Sequence, residues 1–313
     1  MKLVFFGSGE FALPILESLA DSNEIALAVT RPDSARDRGK LIKRSLVAQF
    51  CDDHGIKVFQ PDTVNSPEAV ATISSASCQI AVLASYSEIL SDDVTKIFKM
   101  GIVNVHPSLL PKYRGAEPIR WPIRKGEKVT GSTLMLISSG LDRGNILWQQ
   151  EIPIDDADTY KSLTEKLITL TNSNILPILA KVESGFIGQP QSQEKTFYAR
   201  KLRKEDEVID FKKTVQELSR QIRSMDPSPG MYCLFQGKRL KIFTHRVLES
   251  TGEPGQILQA DKSLVVSCGS GSIEIFELQL EGGKRMPAQS FLASGKVIAG
   301  DIVESVDLNT FKK

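Results

Sequence analysis

Residues 3–19, "LVFFGSGEFALPILESL", contain the pattern that decides the fold of this chain. The run from Leu3 to Phe6 is apolar throughout and stops at Gly7, as expected of a buried strand that ends in a tight turn. From Phe11 onward, apolar side chains recur at the spacing of one helix face. The stretch therefore predicts a strand, a glycine loop and a helix.

Similar strand and helix patterns follow along the chain. We predict strands at 24–30, 57–59, 79–84, 101–105, 129–137 and 145–152, and helices at 45–53, after Ser66-Pro67, from 117 and at 159–184. Strands that are apolar throughout and alternate with helices indicate an α/β domain whose parallel sheet is covered on both faces. We therefore expect a Rossmann-like domain at 1–189, with its ligands beyond the carboxyl ends of the strands.

The remainder of the chain has a different pattern. Periodicity is lost over 190–206, which we interpret as a linker. Beyond it, one helix is predicted at 214–225, followed by short β-like runs at 231–235, 239–243, 263–267 and 272–280. Glycine turns separate these runs, so we predict a smaller OB-like β-barrel domain at 207–313.

Composition excludes several classes of protein. The 313 residues include 39 basic and 38 acidic side chains, so no overall charge favours nucleic acid. The four cysteines are scattered without a CxxC pair, which supports neither a zinc site nor a disulfide framework. No stretch approaches the roughly 20 apolar residues that span a bilayer. We expect a cytoplasmic monomer with no metal and no membrane partner.

The glycine loop after the first strand resembles a dinucleotide-binding fingerprint. "GSGEFA", residues 7–12, fits G-x-G-x-x-A, and Asp33 follows the second strand. Backbone N–H groups of such a loop approach a pyrophosphate at the start of a helix. Glu10 in the first turn opposes an anion, so we favour a plain tight turn. An enzyme that uses NAD through this loop remains an alternative.

Three polar residues follow predicted strands. Asn104 and His106 lie two residues apart in "NVHPSLLP", and Asp142 follows the 129–137 strand in "SSGLDRGN". No serine or cysteine stands in a G-x-S-x-G elbow, and one histidine with one acid makes a poor metal site. The three residues suit direct acyl transfer to an amine, in which amide and imidazole bind an oxyanion and a carboxylate accepts a proton. Each residue alone is also an ordinary turn or structural residue.

Longer stretches carry a resemblance to a known family. "NVHPSLLPKYRGAEPI" with "GSTLMLISSGLDRGNIL" closely resembles the folate-dependent formyltransferases. "TFYARKLRKEDEVIDF" and "ELQLEGGKRMPAQSFLASG" are similar to the branch of that family with a C-terminal domain. The resemblance implies transfer of a formyl group from 10-formyltetrahydrofolate to the α-amino group of methionine on initiator tRNA.

The resemblance also implies residue roles. The family's catalytic trio corresponds to Asn104, His106 and Asp142. Its folate contacts correspond to the "SLLP" and "ASYSEIL" stretches, in particular Ser108, Leu109, Leu110, Pro111, Tyr86 and Ile89. The family's tRNA-facing basic loop corresponds to "RDRGK", which contains Arg38 and Lys40. A second basic run, "RKLRK", contains Arg200, Lys201 and Lys204, and its charge alone suggests contact with phosphate. The chain departs from the family outside the trio, at Ser87, Glu117, Arg120, Pro122, Arg143 and Asn145; Arg143 and Asn145 stand where threonine and aspartate are common.

Other functions stay open on the sequence alone. Related formyltransferases act on glycinamide ribonucleotide or on nucleotide-linked amino sugars and share the trio. The second domain favours the tRNA substrate over these amines. A non-catalytic RNA-binding or folate-binding protein of the same fold is an alternative of a different class.

Overall fold

The structure, a computed structural model, describes residues 1–35, 42–194 and 196–306. The chain forms two compact units, and each contains more than one segment. The first unit comprises Met1–Pro118, Thr130–Ile152 and Thr164–Ala199, and the second comprises Ile119–Val129, Pro153–Leu163 and Arg200–Lys313. No helix of the described part of the chain is both long enough and apolar enough to cross a membrane.

Strands and helices alternate in the first part of the chain. They are β1 (Lys2–Gly7), α1 (Gly9–Ala20), β2 (Glu24–Val29), β3 (Ser34–Ala35), β4 (Ile42–Lys43), α2 (Leu46–Asp53), β5 (Val58–Phe59), α3 (Pro67–Ser75), β6 (Ile80–Ala84), α4 (Asp92–Thr95), β7 (Gly101–His106), α5 (Arg120–Lys125), β8 (Val129–Leu136), β9 (Ile146–Pro153) and α6 (Tyr160–Glu183). Three of the helices start at a serine, Ser45, Ser66 or Ser91, whose hydroxyl accepts a backbone N–H three residues later.

A seven-stranded sheet forms the centre of the first unit, with strand order β5-β2-β1-β6-β7-β8-β9. The strands from β5 to β7 are parallel, which confirms the predicted α/β class. Strand β8 is antiparallel to β7, so the sheet is mixed and mostly parallel. The connection from β7 to β8 contains α5, which belongs to the second unit.

The stretch that predicted the fold lies in the centre of this sheet. Phe5 and Phe6 are fully buried on β1. At Gly7 an added Cβ would lie 2.4 Å from a ring carbon of Phe5 and 2.9 Å from Cβ of Ala12. Glycine is therefore required where β1 turns into α1, because the turn passes close to both side chains.

The second unit is mostly antiparallel β-structure. After a short 3-10 helix (Lys204–Glu207), its elements are α7 (Val215–Met225), β10 (Met231–Phe235), β11 (Lys238–Ile242), β12 (His245–Leu248), β13 (Ile257–Ala260), β14 (Leu264–Ser267), β15 (Ser272–Ile275), β16 (Glu277–Leu280), β17 (Met286–Pro287) and α8 (Ala288–Leu292). The two four-stranded sheets have orders β10-β11-β16-β17 and β12-β15-β14-β13. One hydrophobic core joins both sheets to α7 and α8, as predicted for a small β-domain.

One predicted strand, 272–280, is two strands in different sheets. Between β15 and β16, the backbone N–H groups of Phe276 and Glu277 both donate to the carbonyl oxygen of Thr244, at 2.8 and 3.2 Å. The chain bends at this point from one sheet to the other, as strands do at the corners of small β-domains. The apolar pattern continues through the bend, which is why the sequence shows no break.

Within the second unit, hydrogen bonds of two arginines join the short segments 119–129 and 153–163 to α7. Arg120 donates from Nη1 to the carbonyl oxygen of Ser224 at 2.6 Å, and its guanidinium lies 3.6 Å from the ring centre of Tyr160. Arg223 donates from Nη1 to the carbonyl oxygen of Asp158 at 2.5 Å. The helix predicted from 117 begins at Arg120 and has six residues.

Candidate active site

Strand β7 presents two polar side chains on one face. Asn104 and His106 are separated by one residue, and alternate residues of a strand point to the same side. Both are buried, with 7% and 4% of their surface exposed. His106 is the last residue of the strand, so the pair lies at the carboxyl end of the sheet, where ligands of such sheets bind.

The ring of His106 is oriented by a backbone carbonyl. Its Nε2 lies 3.1 Å from the carbonyl oxygen of Tyr113. Because a carbonyl oxygen can only accept, Nε2 carries the hydrogen in this contact. The other nitrogen, Nδ1, lies 3.7 Å from Oδ1 of Asp142. In the neutral ring Nδ1 is therefore a proton acceptor, and in the charged ring it is a second donor.

Asp142 is fixed by three backbone or side-chain donors. Its Oδ2 accepts from the backbone N–H of Gly115 at 2.8 Å. Its backbone oxygen accepts from Nε of Arg114 at 3.0 Å and from Nε2 of Gln191 at 2.9 Å. Asp142 and Tyr113 both have positive φ, 50° and 60°, a conformation that non-glycine residues rarely adopt. The two loops that carry these residues are thus held in one defined arrangement.

Gln191 is a site residue that the sequence does not reveal. It is buried, and its Oε1 accepts from Nη2 of Arg114 at 2.6 Å. Its Nε2 also donates to the carbonyl oxygen of Gly144 at 2.9 Å. Gln191 therefore links Arg114 to the loop between β8 and β9, residues 137–145, called the Asp142 loop below. It lies in the aperiodic stretch 190–206, where no spacing signal distinguishes it from its neighbours.

The side-chain amide of Asn104 is available to a ligand. Among the described residues none forms a hydrogen bond with it, although the side chain is almost entirely buried. Neither amide atom of Asn104 is among the fully enclosed side-chain atoms that lack a partner, so the amide borders open space from which a ligand can reach it. The structure thus brings His106 and Asp142 into contact range and leaves the Asn104 amide free on the same strand.

The residues expected to contact folate follow the ends of β6 and β7. Ser108 is fully buried, and its hydroxyl donates to the carbonyl oxygen of Lys112 at 2.7 Å, which closes the "SLLP" turn. Its backbone oxygen accepts from Oγ1 of Thr133 at 2.6 Å. Leu110 is buried, and Leu109 and Pro111 are partly exposed. The hydroxyl of Ser108 is consequently engaged within the protein.

The second stretch expected near folate contains one packed and one exposed residue. The Tyr86 ring packs edge-on against Phe6, with 5.8 Å between ring centres, and burial raises the pKa of its hydroxyl. The Ile89 side chain is 77% exposed. Tyr86 therefore belongs to the core edge, whereas Ile89 is free to contact a ligand.

Comparison with known proteins identifies the family. Residues 1–179 match the family model for formyl transferase, and residues 201–296 match that for the formyl transferase C-terminal domain. A methionyl-tRNA formyltransferase from Dechloromonas aromatica is 38% identical over 96% of this chain and 98% of its own. One from Caldanaerobacter subterraneus subsp. tengcongensis is 37% identical over 97% and 100%. The chain belongs to the formyl transferase family, in its methionyl-tRNA formyltransferase branch.

Solved structures share the fold of this chain. HypX from Aquifex aeolicus, in complex with tetrahydrofolic acid, has a TM-score of 0.65 and 18% identity over 93% of this chain and 47% of that chain. WlaRD, a sugar 3N-formyl transferase in the presence of dTDP and 5-N-formyl-THF, has a TM-score of 0.64 and 22% identity over 91% and 99%. At these identities the likeness concerns the fold. The family resemblance stated from the sequence motifs is confirmed by the family models and the full-length relatives.

The basic residues expected to contact tRNA differ in their surroundings. Arg38 and Lys40 lie outside the described residues. Arg200 forms a two-pronged ion pair with Asp206, at 2.7 and 2.9 Å, and lies 5.0 Å from the Trp121 ring centre. Lys201 and Lys204 are exposed in the same segment. Arg200 is therefore engaged internally, while the two lysines present their charges to solvent.

The glycine loop of this transferase does not fit a dinucleotide. The backbone N–H of Ser8 donates to the carbonyl oxygen of Ser85 at 3.2 Å rather than being free for a phosphate. The Asp33 carboxylate accepts from the Ser45 backbone at 3.1 Å and from Gln60 at 2.8 Å, and it pairs with Arg44. These hydrogen bonds, led by that from Gln60, lower the pKa of Asp33. The carboxylate is thus occupied where a ribose would need it.

Metal and thiol chemistry have no candidate groups in the described part of the chain. There, no three or more histidine, cysteine, aspartate or glutamate side chains are placed to hold a metal ion. All four cysteines are buried, and burial raises the pKa of Cys51, Cys233 and Cys268 to about 12. A thiol with so high a pKa is a poor nucleophile.

Gly144→Ala is expected to destabilise the formyltransferase at the Asp142 loop. An added Cβ would lie 1.5 Å from the carbonyl oxygen of Leu136, a rigid backbone atom of β8. The loop must shift, and we expect the free energy of unfolding to fall by about 1–3 kcal/mol, as for other overpacked sites. Urea denaturation measures this change. Ser139→Ala, an exposed position of the same loop, is the control, and equal stability of the two variants would contradict the geometry.

Proposed function

We propose that this protein transfers the formyl group of 10-formyltetrahydrofolate to the α-amino group of methionyl initiator tRNA. The observation that carries the proposal is the extent of the similarity. At 38% identity it covers 96% of this chain and 98% of a methionyl-tRNA formyltransferase, and so includes the C-terminal domain as well as the catalytic one. The sugar formyltransferase WlaRD also matches 91% of this chain, but at only 22% identity, so the choice of substrate rests on the closer, full-length likeness to methionyl-tRNA formyltransferases.

Asn104 serves the oxygen of the formyl group. When the methionine nitrogen attacks the formyl carbon, negative charge develops on that oxygen. The free Asn104 amide donates a hydrogen bond to it from a buried position, where such bonds are strong because water is excluded. The amide has no competing partner among the described residues, so its donor hydrogens are available to the formyl oxygen.

His106 and Asp142 accept and pass on the proton of the attacking amine. The attacking nitrogen must lose a proton as its bond to carbon forms, and Nδ1 of His106 is the lone-pair nitrogen because Nε2 donates to Tyr113. Once protonated, Nδ1 is a second donor toward the oxyanion. Asp142, 3.7 Å away, orients the ring and accepts the proton directly or through water. The proton then reaches the departing nitrogen of tetrahydrofolate as the carbon–nitrogen bond to it breaks.

The formyl donor lies against the loops after β6 and β7. Leu109, Leu110 and Pro111 form one apolar wall beside His106, and Ile89 supplies a second. Ser108 acts through its buried hydroxyl, which stabilises the turn that shapes this wall. Tyr86 supports the second loop from the core edge. Apolar walls with few polar groups suit the flat ring system of a folate.

The tRNA contacts come from basic side chains. Arg38 and Lys40 of the "RDRGK" loop and Lys201 and Lys204 of the "RKLRK" run attract the phosphate backbone. Arg200 contributes by holding the second of these segments through Asp206 and Trp121. Because the net charge of the chain is only +1, this local charge is what favours RNA.

Arg44→Lys is expected to weaken the use of tRNA. Arg44 pairs with Asp52 through two bonds, 2.6 and 2.9 Å, and with Asp33 at 3.2 Å. Asp33 and Arg44 lie on either side, in sequence, of the "RDRGK" stretch that contains Arg38. Lysine keeps the charge but loses the planar fork, so we expect KM for methionyl-tRNA to rise about fivefold. Steady-state kinetics with each substrate varied in turn would check this. A similar rise in KM for the formyl donor would contradict a role at the tRNA loop.

A direct assay tests the proposed function. Purified protein is incubated with 10-formyltetrahydrofolate and methionyl initiator tRNA, and formylmethionine is measured after the ester is hydrolysed. Glycinamide ribonucleotide and a dTDP-linked amino sugar are supplied in parallel as competing amines. Formylation of the methionyl-tRNA alone supports the proposal, whereas preferential formylation of a small amine would overturn it.

A further inference from the structure

A cavity of about 770 Å³ opens beside the Asp142 loop, within the first unit. None of the residues assigned above to the formyl donor, to catalysis or to tRNA lines it. Its wall includes arginine, aromatic and amide or acid side chains: Arg114, Arg143, Gln193, Glu194, Phe197 and Tyr198. These side chains differ from the apolar wall proposed for folate. They suit a ligand that has a negative charge, hydrogen-bonding groups and a flat aromatic ring.

Two arginines, Arg114 and Arg143, supply positive charge to the cavity. Arg114 uses Nε and Nη2 on Asp142 and Gln191. Partial burial, and then the proximity of Arg143, lower the pKa of Arg114. Among the described residues no carboxylate lies within ion-pair distance of Arg143. Two guanidinium groups that repel each other across a cavity favour an anion between them, and their planar donors match phosphate.

The aromatic side chains of the cavity are exposed yet held in place. Tyr198 is 53% exposed and Phe197 39%. A Cβ added to Gly115 would lie 2.9 Å from the Tyr198 ring, so the ring rests directly on the bare backbone of Gly115. Phe197 packs against Tyr113, with 5.6 Å between ring centres. Exposed, immobilised rings beside arginines are the usual means of binding a single-stranded nucleotide by stacking.

Two polar side chains of the cavity wall, Gln193 and Glu194, can form hydrogen bonds with a nucleotide base. Both side chains are exposed. Glutamine offers both a donor and an acceptor, and glutamate accepts from the exocyclic amine of a base. The Glu194 carboxylate also repels a simple anion, so a ligand that carries a base as well as a phosphate fits better than inorganic phosphate.

We propose that this cavity binds the 3′-terminal nucleotide of the aminoacyl-tRNA, with its phosphate at Arg143 and Arg114 and its base on Tyr198. This inference rests on the proposed function. Gly115 connects the two sites, because its backbone N–H donates to Oδ2 of Asp142 and an added Cβ on it would contact the Tyr198 ring. A nucleotide stacked here places the aminoacyl ester of its ribose next to the catalytic loop.

Kinetics of Arg143 variants test the phosphate contact. We expect Arg143→Gln to raise KM for methionyl-tRNA roughly tenfold, to leave KM for the formyl donor unchanged, and to reduce the salt slope of log KM by about 0.7, the value for one single-strand phosphate. Arg143→Lys is expected to restore most of the slope. Lys99→Gln, an exposed lysine of the same unit, removes equal charge elsewhere and serves as the control. An Arg143→Gln variant that behaves like Lys99→Gln would overturn the inference.

Binding of adenosine monophosphate tests the site without catalysis. We expect it to compete with methionyl-tRNA on the wild-type enzyme and to bind at least tenfold more weakly to Arg143→Gln and to Tyr198→Ala, with Tyr198→Phe close to wild type. Competition by inorganic phosphate as effective as that by the nucleotide would overturn the stacking role. Nucleotide binding that saturating methionyl-tRNA does not displace would show a free-nucleotide site and overturn the tRNA assignment.

Different results would overturn the proposed function and the cavity assignment. If wild-type enzyme does not formylate methionyl-tRNA, the proposed function is wrong, whatever the nucleotide does. If it does formylate and the Arg143 and Tyr198 variants have unchanged KM and unchanged nucleotide affinity, only the cavity assignment is wrong.

Discussion

His106→Ala is expected to lower kcat for formylation roughly a thousandfold, the middle of the range for loss of a positioned acid or base. The variant removes Nδ1, the proton acceptor beside Asp142, and also the hydrogen bond from Nε2 to the Tyr113 carbonyl. KM for both substrates should change little, because the ring acts on the reacting atoms rather than on the remote parts of either substrate. Single-turnover measurements with saturating substrates separate the chemical step from binding.

A second histidine provides the control for this variant. His54 lies at the end of α2, where it stacks on Phe50 with 4.0 Å between ring centres, far along the chain from the site. His54→Ala should retain full kcat. If His106→Ala kept more than about a tenth of the wild-type kcat, general acid–base catalysis by this ring would be excluded.

Asn104→Ala is expected to lower kcat by about 10²–10³-fold, the usual effect of removing one oxyanion donor. The loss should fall on kcat rather than on KM, since the charge on the formyl oxygen exists only near the transition state. Asn104→Asp has nearly the same shape, but its ionised carboxylate can only accept, and it should be no more active than the alanine variant. Near-normal activity of Asn104→Asp would mean that the amide donates to nothing in the reaction.

The fold was largely predictable because its strands are buried on both faces. Such strands are continuous apolar runs, as Leu3–Phe6 and Ile80–Ala84 show, and their alternation with helices specifies the sheet class. The exceptions have physical reasons. Strand β8 runs antiparallel to β7 although its apolar pattern is the same as that of a parallel strand, because such a pattern carries no information about strand direction. At Phe276 a strand changes sheets without any change in pattern.

The site was predictable only where chemistry-bearing residues follow strands. His106 and Asp142 could be proposed as neighbours because each follows a predicted strand at the same sheet edge, and the structure places them 3.7 Å apart. Gln191 and Gly115 act on Asp142 from loops with no periodic signal, so only the folded chain reveals them. The ion pair of Arg200 with Asp206 could not be predicted either, because the sequence does not show which of several neighbouring basic residues pairs with that aspartate.

The left-handed backbone at Tyr113 and Asp142 has a consequence for laboratory evolution of this enzyme. Each such residue reduces stability by about 1 kcal/mol or more relative to glycine, which adopts the conformation freely. Selection for heat resistance alone would therefore favour glycine at both positions. At Asp142 that gain would delete the carboxylate, so thermostability and turnover compete at this residue, and a library screened without an activity filter should drift toward inactive, more robust proteins.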